Sequence, residues 1–254
     1  MAFVLMITDP VFYLLATMAV ILIGLSKGGF GGALSLLGVP MVALIIPPVQ
    51  AAAIFLPILV VMDVAALITY RGLRDSKTVK LMLPAAIIGI TIGWLLASYV
   101  TESEIRIVVG ALSLLFAAQW FFGGREARPP QPQRPGMARL WAAVSGFTSF
   151  MTHAGGPPFQ MYALPLKLEK RLYAGFSVIY FAVVNAVKLI PYFALGQFST
   201  ANLMTSAVLV PLAPLATLTG AWLVKRVDQT LFYRVSYSVL LPVGLKLIYD
   251  GLTH

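Results

Sequence analysis

The chain has 254 residues, 59% of them apolar and 11% charged, where soluble domains run roughly 45–50% apolar and about 25% charged. That balance excludes a water-soluble enzyme, a nucleic-acid-binding domain and a disordered chain, even though the formal net charge is +9. The chain reads as an all-α polytopic membrane protein. It has no cysteine, so disulfides, thiolate metal sites and a cysteine nucleophile are out of the question.

In chain order, the first apolar region covers 11–46 and is interrupted by SKGGFGG, Ser26 to Gly32. No basic segment precedes it, so residues 11–27 read as retained structure rather than a cleaved signal. Two spans follow at 51–70 and 81–100, and a third at 104–122; each approaches the roughly 20 residues that a helix needs to cross a hydrocarbon core. The stretch 123–137, GGREARPPQPQRPGM, is too polar and proline-rich to span and reads as a linker. A second interrupted region, 140–165, breaks at THAGGPP, Thr152 to Pro158, and three more spans follow at 172–194, 202–223 and 230–249.

Loop charge sets the orientation. Segments 71–80, 125–139, 167–171 and 225–226 hold 13 of the 18 basic residues, and basic loops stay on the cytoplasmic side. The uncharged connections 47–50 and 195–201 and the acidic 100–104 are assigned outside. Region 140–165 has basic residues on both flanks and is short for two crossings, so it is expected to enter and return as a broken hairpin, with a single tilted span as the alternative. Region 11–46 is expected to do the same from the outer face.

The two halves resemble each other. Pro84 to Gly93 and Pro211 to Gly220 share a nine-residue spacing, each glycine followed by Trp-Leu. Gly31-Gly32 precedes Pro40 much as Gly155-Gly156 precedes Pro165, and Asp63 takes the place of Asn185. The expected organisation is a first membrane repeat over 1–122, a cytoplasmic linker over 123–137 and a second, inverted repeat over 138–254, each repeat a broken hairpin plus three transmembrane helices. Inverted repeats with interrupted helices mark secondary transporters, with substrate bound where the breaks meet.

Non-helical backbone at membrane depth must be buried in protein or line a wet cavity. Gly28, Gly29, Gly31 and Gly32 in one break, and Gly155 and Gly156 in the other, allow unwinding. Helices restarting after the breaks would present N–H groups and positive dipole ends to an anion. Lys27, Asp63 and Lys188 are the three charged side chains well inside apolar runs, and such charges mark function by default. An anion between Lys27 and Lys188 would offset their desolvation. Asn185 shares a helix face with Lys188. Ser26, Thr152 and His153 complete the expected substrate site, and Asp63 and His153 are the candidates for proton coupling. No metal motif and no cofactor motif occurs.

The LSKGGFGGALSLLGVP run, its weaker echo SFMTHAGGPPFQMYALP and the two-half layout resemble the TauE/SafE family of sulfite exporters and organosulfonate permeases. The resemblance covers essentially the whole chain. It implies transport of sulfite, sulfoacetate or a related sulfur anion across a bacterial inner membrane. Thr152 and His153 stand where Gly28 and Gly29 stand in the first half, so the halves are not chemically equivalent. The expected partners are a small anion and the lipid bilayer, without nucleic acid; oligomeric state is left open. No Walker-type loop is present, so energy is expected from a gradient. A passive anion channel and a carrier of another small anion, such as a carboxylate, are the alternatives. An intramembrane Ser–His enzyme built on Ser26, Ser149 and His153 is disfavoured because no G-x-S-x-G elbow occurs.

Overall fold

A computed structural model describes residues 7–30, 38–42, 45–73, 76–97, 99, 101–122 and 129–253, and among them eleven α-helices and one 3-10 turn. No strand occurs among the described residues. The helices are α1 (Pro10–Lys27), α2 (Gly38–Val42), α3 (Pro48–Thr69), α4 (Ser76–Leu96), α5 (Glu102–Phe121) and α6 (Pro135–Thr152). After them come α7 (Gly156–Ala163), the 3-10 turn Leu164–Leu166, α8 (Lys170–Ala194), α9 (Thr200–Leu209), α10 (Leu212–Arg226) and α11 (Gln229–Thr253).

Local chemistry starts several of them. The Asp9 carboxylate accepts from the N–H groups of Val11 (2.8 Å) and Phe12 (3.4 Å), with Pro10 at the first helical position of α1. Glu169 caps α8 through Arg171 and Leu172 at 3.0 and 3.1 Å, and Ser199 caps α9 through Asn202 at 3.2 Å. Each cap satisfies N–H groups that a helix start otherwise leaves without partners.

Among the described residues five helices (α1, α3, α4, α8 and α11) are long and apolar enough to cross a membrane. The pair α9–α10, bent by 46°, makes a sixth. The protein is therefore an all-helical, multi-pass membrane protein. The sequence predicts one unbroken helix over 202–223; the structure splits it, because Pro211 and Pro214 lack the N–H groups that would continue the ladder. The first break also begins later than expected. Ser26 and Lys27 are the last residues of α1, and the helix ends at Gly28 and Gly29, the latter with φ +141°. A cation at a helix C-terminus is favoured by the dipole, which explains why the helix runs on through Lys27.

The second break is His153–Gly155. His153 adopts the left-handed conformation (φ 56°), its N–H donating to Ser149 O and that of Ala154 to Thr148 O, both at 3.2 Å. Hydrogen bonds of this kind close a helix C-terminus. The Gln131 N–H donates to Pro165 O at 2.9 Å, so the chain entering α6 and the chain leaving α7 meet.

Loop contacts sort into two ends. Gln133–Thr78, Gln229–Leu168 and Tyr233–Leu168 tie the basic connections together. Ile7–Thr205, Gln50–Asn202 and Ser206–Ile54 tie the uncharged ones. Between the ends α4 packs on α6, α1 on α10, α3 on α8 and α5 on α11, with further contacts of α4 on α8 and α3 on α10. Exchanging the halves, with α9–α10 matched to α4, converts α4–α6 into α10–α1 and α4–α8 into α10–α3.

Glycines permit the closest crossings. A Cβ on Gly146 would lie 2.1 Å from Ala86 O, and one on Gly89 would lie 2.0 Å from Ala143 O, so α4 and α6 touch backbone to backbone. Interfaces between membrane helices favour small residues for this reason. Gly146→Ala is expected to cost about 1–3 kcal/mol of stability, read as a lower unfolding temperature in detergent. Gly136→Ala, whose added Cβ meets nothing within 4 Å, is the control and leaves the unfolding temperature unchanged or slightly higher.

Candidate functional site

Lys27 and Lys188 line one cavity, and Asp63 stands behind it, bonded to Lys27 and Asn185. At ~1.5 Å rise per residue, Lys188 lies ~9 Å from the uncharged end of α8 and Asp63 ~9 Å from the basic end of α3. Lys27, at the C-terminus of α1, forms a salt bridge with Asp63 Oδ1, both side chains 6% exposed. Asn185 Nδ2 donates to the other carboxylate oxygen, Oδ2, at 2.7 Å. Both Asp63 oxygens are thus engaged, one by a cation and one by an amide.

Lys188 is fully buried and has no carboxylate partner among the described residues. Its Nζ donates to Ser149 O (2.9 Å) and Ser149 Oγ (3.2 Å) and meets His153 Nδ1 at 2.6 Å. These three acceptors match the three N–H bonds of an ammonium. With Nδ1 accepting, the ring proton sits on Nε2, which lies 3.2 Å from Ala52 O; a carbonyl only accepts, so Nε2 donates. The 3.2 Å approach of Nδ1 to Ser149 O is then a close contact and not a hydrogen bond.

Lys27, Ser149, His153, Gly156, Asn185 and Lys188 line the cavity, and Leu59 and Phe181 close it. Its volume is about 20 Å³, room for about one water. Counted at formal charge, Lys27 and Asp63 cancel, and Lys188 is the lysine of the site that no carboxylate among the described residues balances. Uncompensated charge at such depth is costly, at least ~2.5–3.5 kcal/mol for a lysine on insertion scales. Neutral acceptors around Lys188 offset only part of that cost, and an anion would offset more.

The remaining expected residues fall into three groups. Ser26 is buried beside Lys27, and its carbonyl accepts from the N–H of Phe30 at 2.8 Å. Gly28 and Gly29 are held by packing. A Cβ on Gly28 would meet Ala221 N at 2.5 Å, and the Gly28 carbonyl accepts from Tyr70 OH at 2.5 Å. Gly155 backs onto α6, its carbonyl accepting from Ser145 Oγ at 2.7 Å. Gly31, Gly32 and the Thr152 side chain lie outside the described residues.

The helix start expected to offer several N–H groups does so only sparingly in the second half. Gly156 opens α7, but Pro157 and Pro158 follow and have no N–H, and Phe159 N already donates to Gly155 O at 3.2 Å. Proline suits a first helical turn and at the same time removes its donors. The positive character of this cavity therefore comes from side chains more than from a helix terminus.

Ser149 is the polar group whose place at Lys188 the sequence did not single out. Its signal was available: Ser149 and His153 stand four residues apart at the end of α6, the spacing that puts two side chains on one helix face. Leu59 and Phe181 carry no sequence signal beyond being apolar.

A profile of the family described as Sulfite exporter TauE/SafE matches residues 16–247. A relative from Cupriavidus necator, described as a probable sulfite/organosulfonate exporter TauE, is 28% identical over 214 residues, covering 78% of this chain and 81% of the relative. No solved structure matches the chain. With nearly its whole length matched, the chain belongs to the sulfite exporter TauE/SafE family and is a membrane transporter, not an enzyme.

Proposed function

We propose that this protein is a secondary transporter that moves a small sulfur oxyanion, sulfite or an organosulfonate, across a bacterial inner membrane. The observation that carries the reading is the buried cavity bounded by two lysines, Lys27 and Lys188, with His153, Ser149 and Asn185, in which only Lys27 has a carboxylate partner among the described residues. The anion takes the place of the neutral acceptors on Lys188 and draws on Lys27, which Asp63 otherwise neutralises. The name of the Cupriavidus necator relative supports sulfur anions over carboxylates.

Alternating access fits the cavity size. A space of about 20 Å³ has no room for a file of ions, and a substrate larger than water requires the surrounding helices to move. The pairing of helices that survives exchange of the halves supports two inverted repeats, 1–122 and 138–254, joined by a cytoplasmic linker over 123–137. In this orientation the basic end is the cytoplasmic one. Asp63 and His153 are the groups best placed to couple a proton to the anion, since each touches a lysine of the site.

The test is flux in proteoliposomes. Saturable, counter-flow-competent movement of sulfite or a short alkanesulfonate is expected, with sulfate and simple carboxylates competing weakly. Equal flux of all small anions without saturation would replace the carrier by a channel. Saturable flux of carboxylates alone would transfer the site to another substrate.

A further inference from the structure

A second, larger cavity of about 250 Å³ adjoins the charged one toward the uncharged end of the bundle, with Ala52, Ala97, Phe150, Tyr192, Leu195 and Gln197 in its wall. Among the described residues no charged side chain lines it. His153, which lines the small cavity, also contacts two residues in the wall of the large one. Its Nε2 donates to the carbonyl of Ala52, a residue of the larger wall. Its ring stacks against Tyr192 at 6.1 Å and 12°, and Tyr192 meets Phe150 edge-on at 5.8 Å. Ser149 belongs to the small cavity and Phe150, its neighbour on α6, to the large one.

We propose that this chamber is a subsite for the carbon tail of an alkane- or arylsulfonate whose sulfonate group occupies the charged cavity. The inference rests on the anion-site reading given above and adds the tail chemistry. A sulfonate replacing the acceptors on Lys188 frees His153, and rotation away from Ala52 O and Tyr192 lets the two spaces connect. The head then sits against Lys188 while the tail lies along Phe150 and Tyr192, mostly apolar surface that gains from covering carbon. A tail with a second charge, as in sulfoacetate, loses its water there without meeting an opposite charge. The structure thus assigns monoanionic sulfonates with uncharged tails as the preferred class, ahead of sulfite itself and of dianions.

The experiment is a binding series on the purified full-length protein in detergent, with sulfite, methane-, ethane-, propane- and butanesulfonate, benzenesulfonate and sulfoacetate. Affinity is expected to rise about threefold per methylene up to butanesulfonate, near the ceiling for a fully buried CH₂, and sulfoacetate is expected to bind more weakly than ethanesulfonate. Ala97 is exposed just beyond the end of α4, so Ala97→Phe fills the chamber from a tolerant position. It is expected to weaken butanesulfonate about tenfold and leave sulfite unchanged. A flat chain-length series with sulfite binding intact overturns the tail subsite alone. Absence of binding by sulfite and every sulfonate overturns the anion-site reading beneath it. The series on the unsubstituted protein decides the matter even if Ala97→Phe does not fold.

Discussion

Lys188→Met is expected to weaken sulfite binding about a hundredfold while leaving the protein as stable as before or more so. The two effects separate because they have different origins. Lys188 is fully buried with only neutral acceptors, Ser149 O, Ser149 Oγ and His153 Nδ1, so removing its charge relieves a desolvation cost of ~2.5–3.5 kcal/mol or more. The lost contacts to Ser149 and His153 work against that relief, so the net change in stability is expected to be small. The same substitution removes the lysine that holds the anion, and one charge-assisted contact of up to ~3 kcal/mol is about a hundredfold in affinity. Thermal unfolding of the detergent-solubilised variant, with and without sulfite, reads both quantities. A variant that binds sulfite like the parent removes Lys188 from the site. A variant that loses both binding and several degrees of unfolding temperature makes the lysine structural.

Asp63→Ala is expected to have the opposite profile, a loss of about 3–5 kcal/mol in stability with anion binding retained or strengthened. Breaking a buried ion pair strands the surviving charge; here the stranded charge is Lys27, 7% exposed at the end of α1, and Asn185 loses its acceptor as well. The cavity then carries two uncompensated lysines. A saturating anion is expected to restore much of the lost stability, because a ligand that binds only the folded state stabilises it by mass action. Removing both partners, Lys27→Met with Asp63→Leu, is expected to recover most of the stability without anion, since an apolar pair of similar volume replaces a buried ion pair at little cost. If the double variant stays as unstable as Asp63→Ala, the pair does not account for the loss.

Much of the architecture can be read from the residues alone. Five of the six long apolar runs appear as single helices and the sixth, 202–223, as the bent pair α9–α10, while basic connections bond to basic ones and uncharged to uncharged. The hydrocarbon core imposes this legibility, because a span must be apolar over a fixed length and its ends are marked by charge. The places where reading fell short are local. Lys27 belongs to α1 and not to the break, because a lysine is a favourable last residue for a helix and the pattern alone does not say where the ladder stops. The bend at Val210–Pro211 is carried by prolines that stand inside an otherwise continuous apolar run, and α3, α8 and α11 tolerate a proline without breaking.

For the site, the sequence by itself determined which side chains had to be accounted for: Lys27, Asp63 and Lys188 are conspicuous because a charge in hydrocarbon needs a partner wherever it stands. It also determined that two interrupted segments, around Gly28 and Gly155, would come to lie within the protein. The tertiary structure alone decided who the partners are. Lys27 reaches Asp63 across 36 positions of sequence, and Lys188 finds Ser149 and His153 on a different helix. That choice depends on the crossing of α3 with α8 and on how closely α6 lies against its neighbours, geometry set by packing that no periodicity encodes. Packing likewise turned Gly28 and Gly29 into contacts with α10 and Tyr70, left α7 with few free N–H groups, and set a mostly apolar pocket near the lysine-lined cavity, with His153 touching the walls of both.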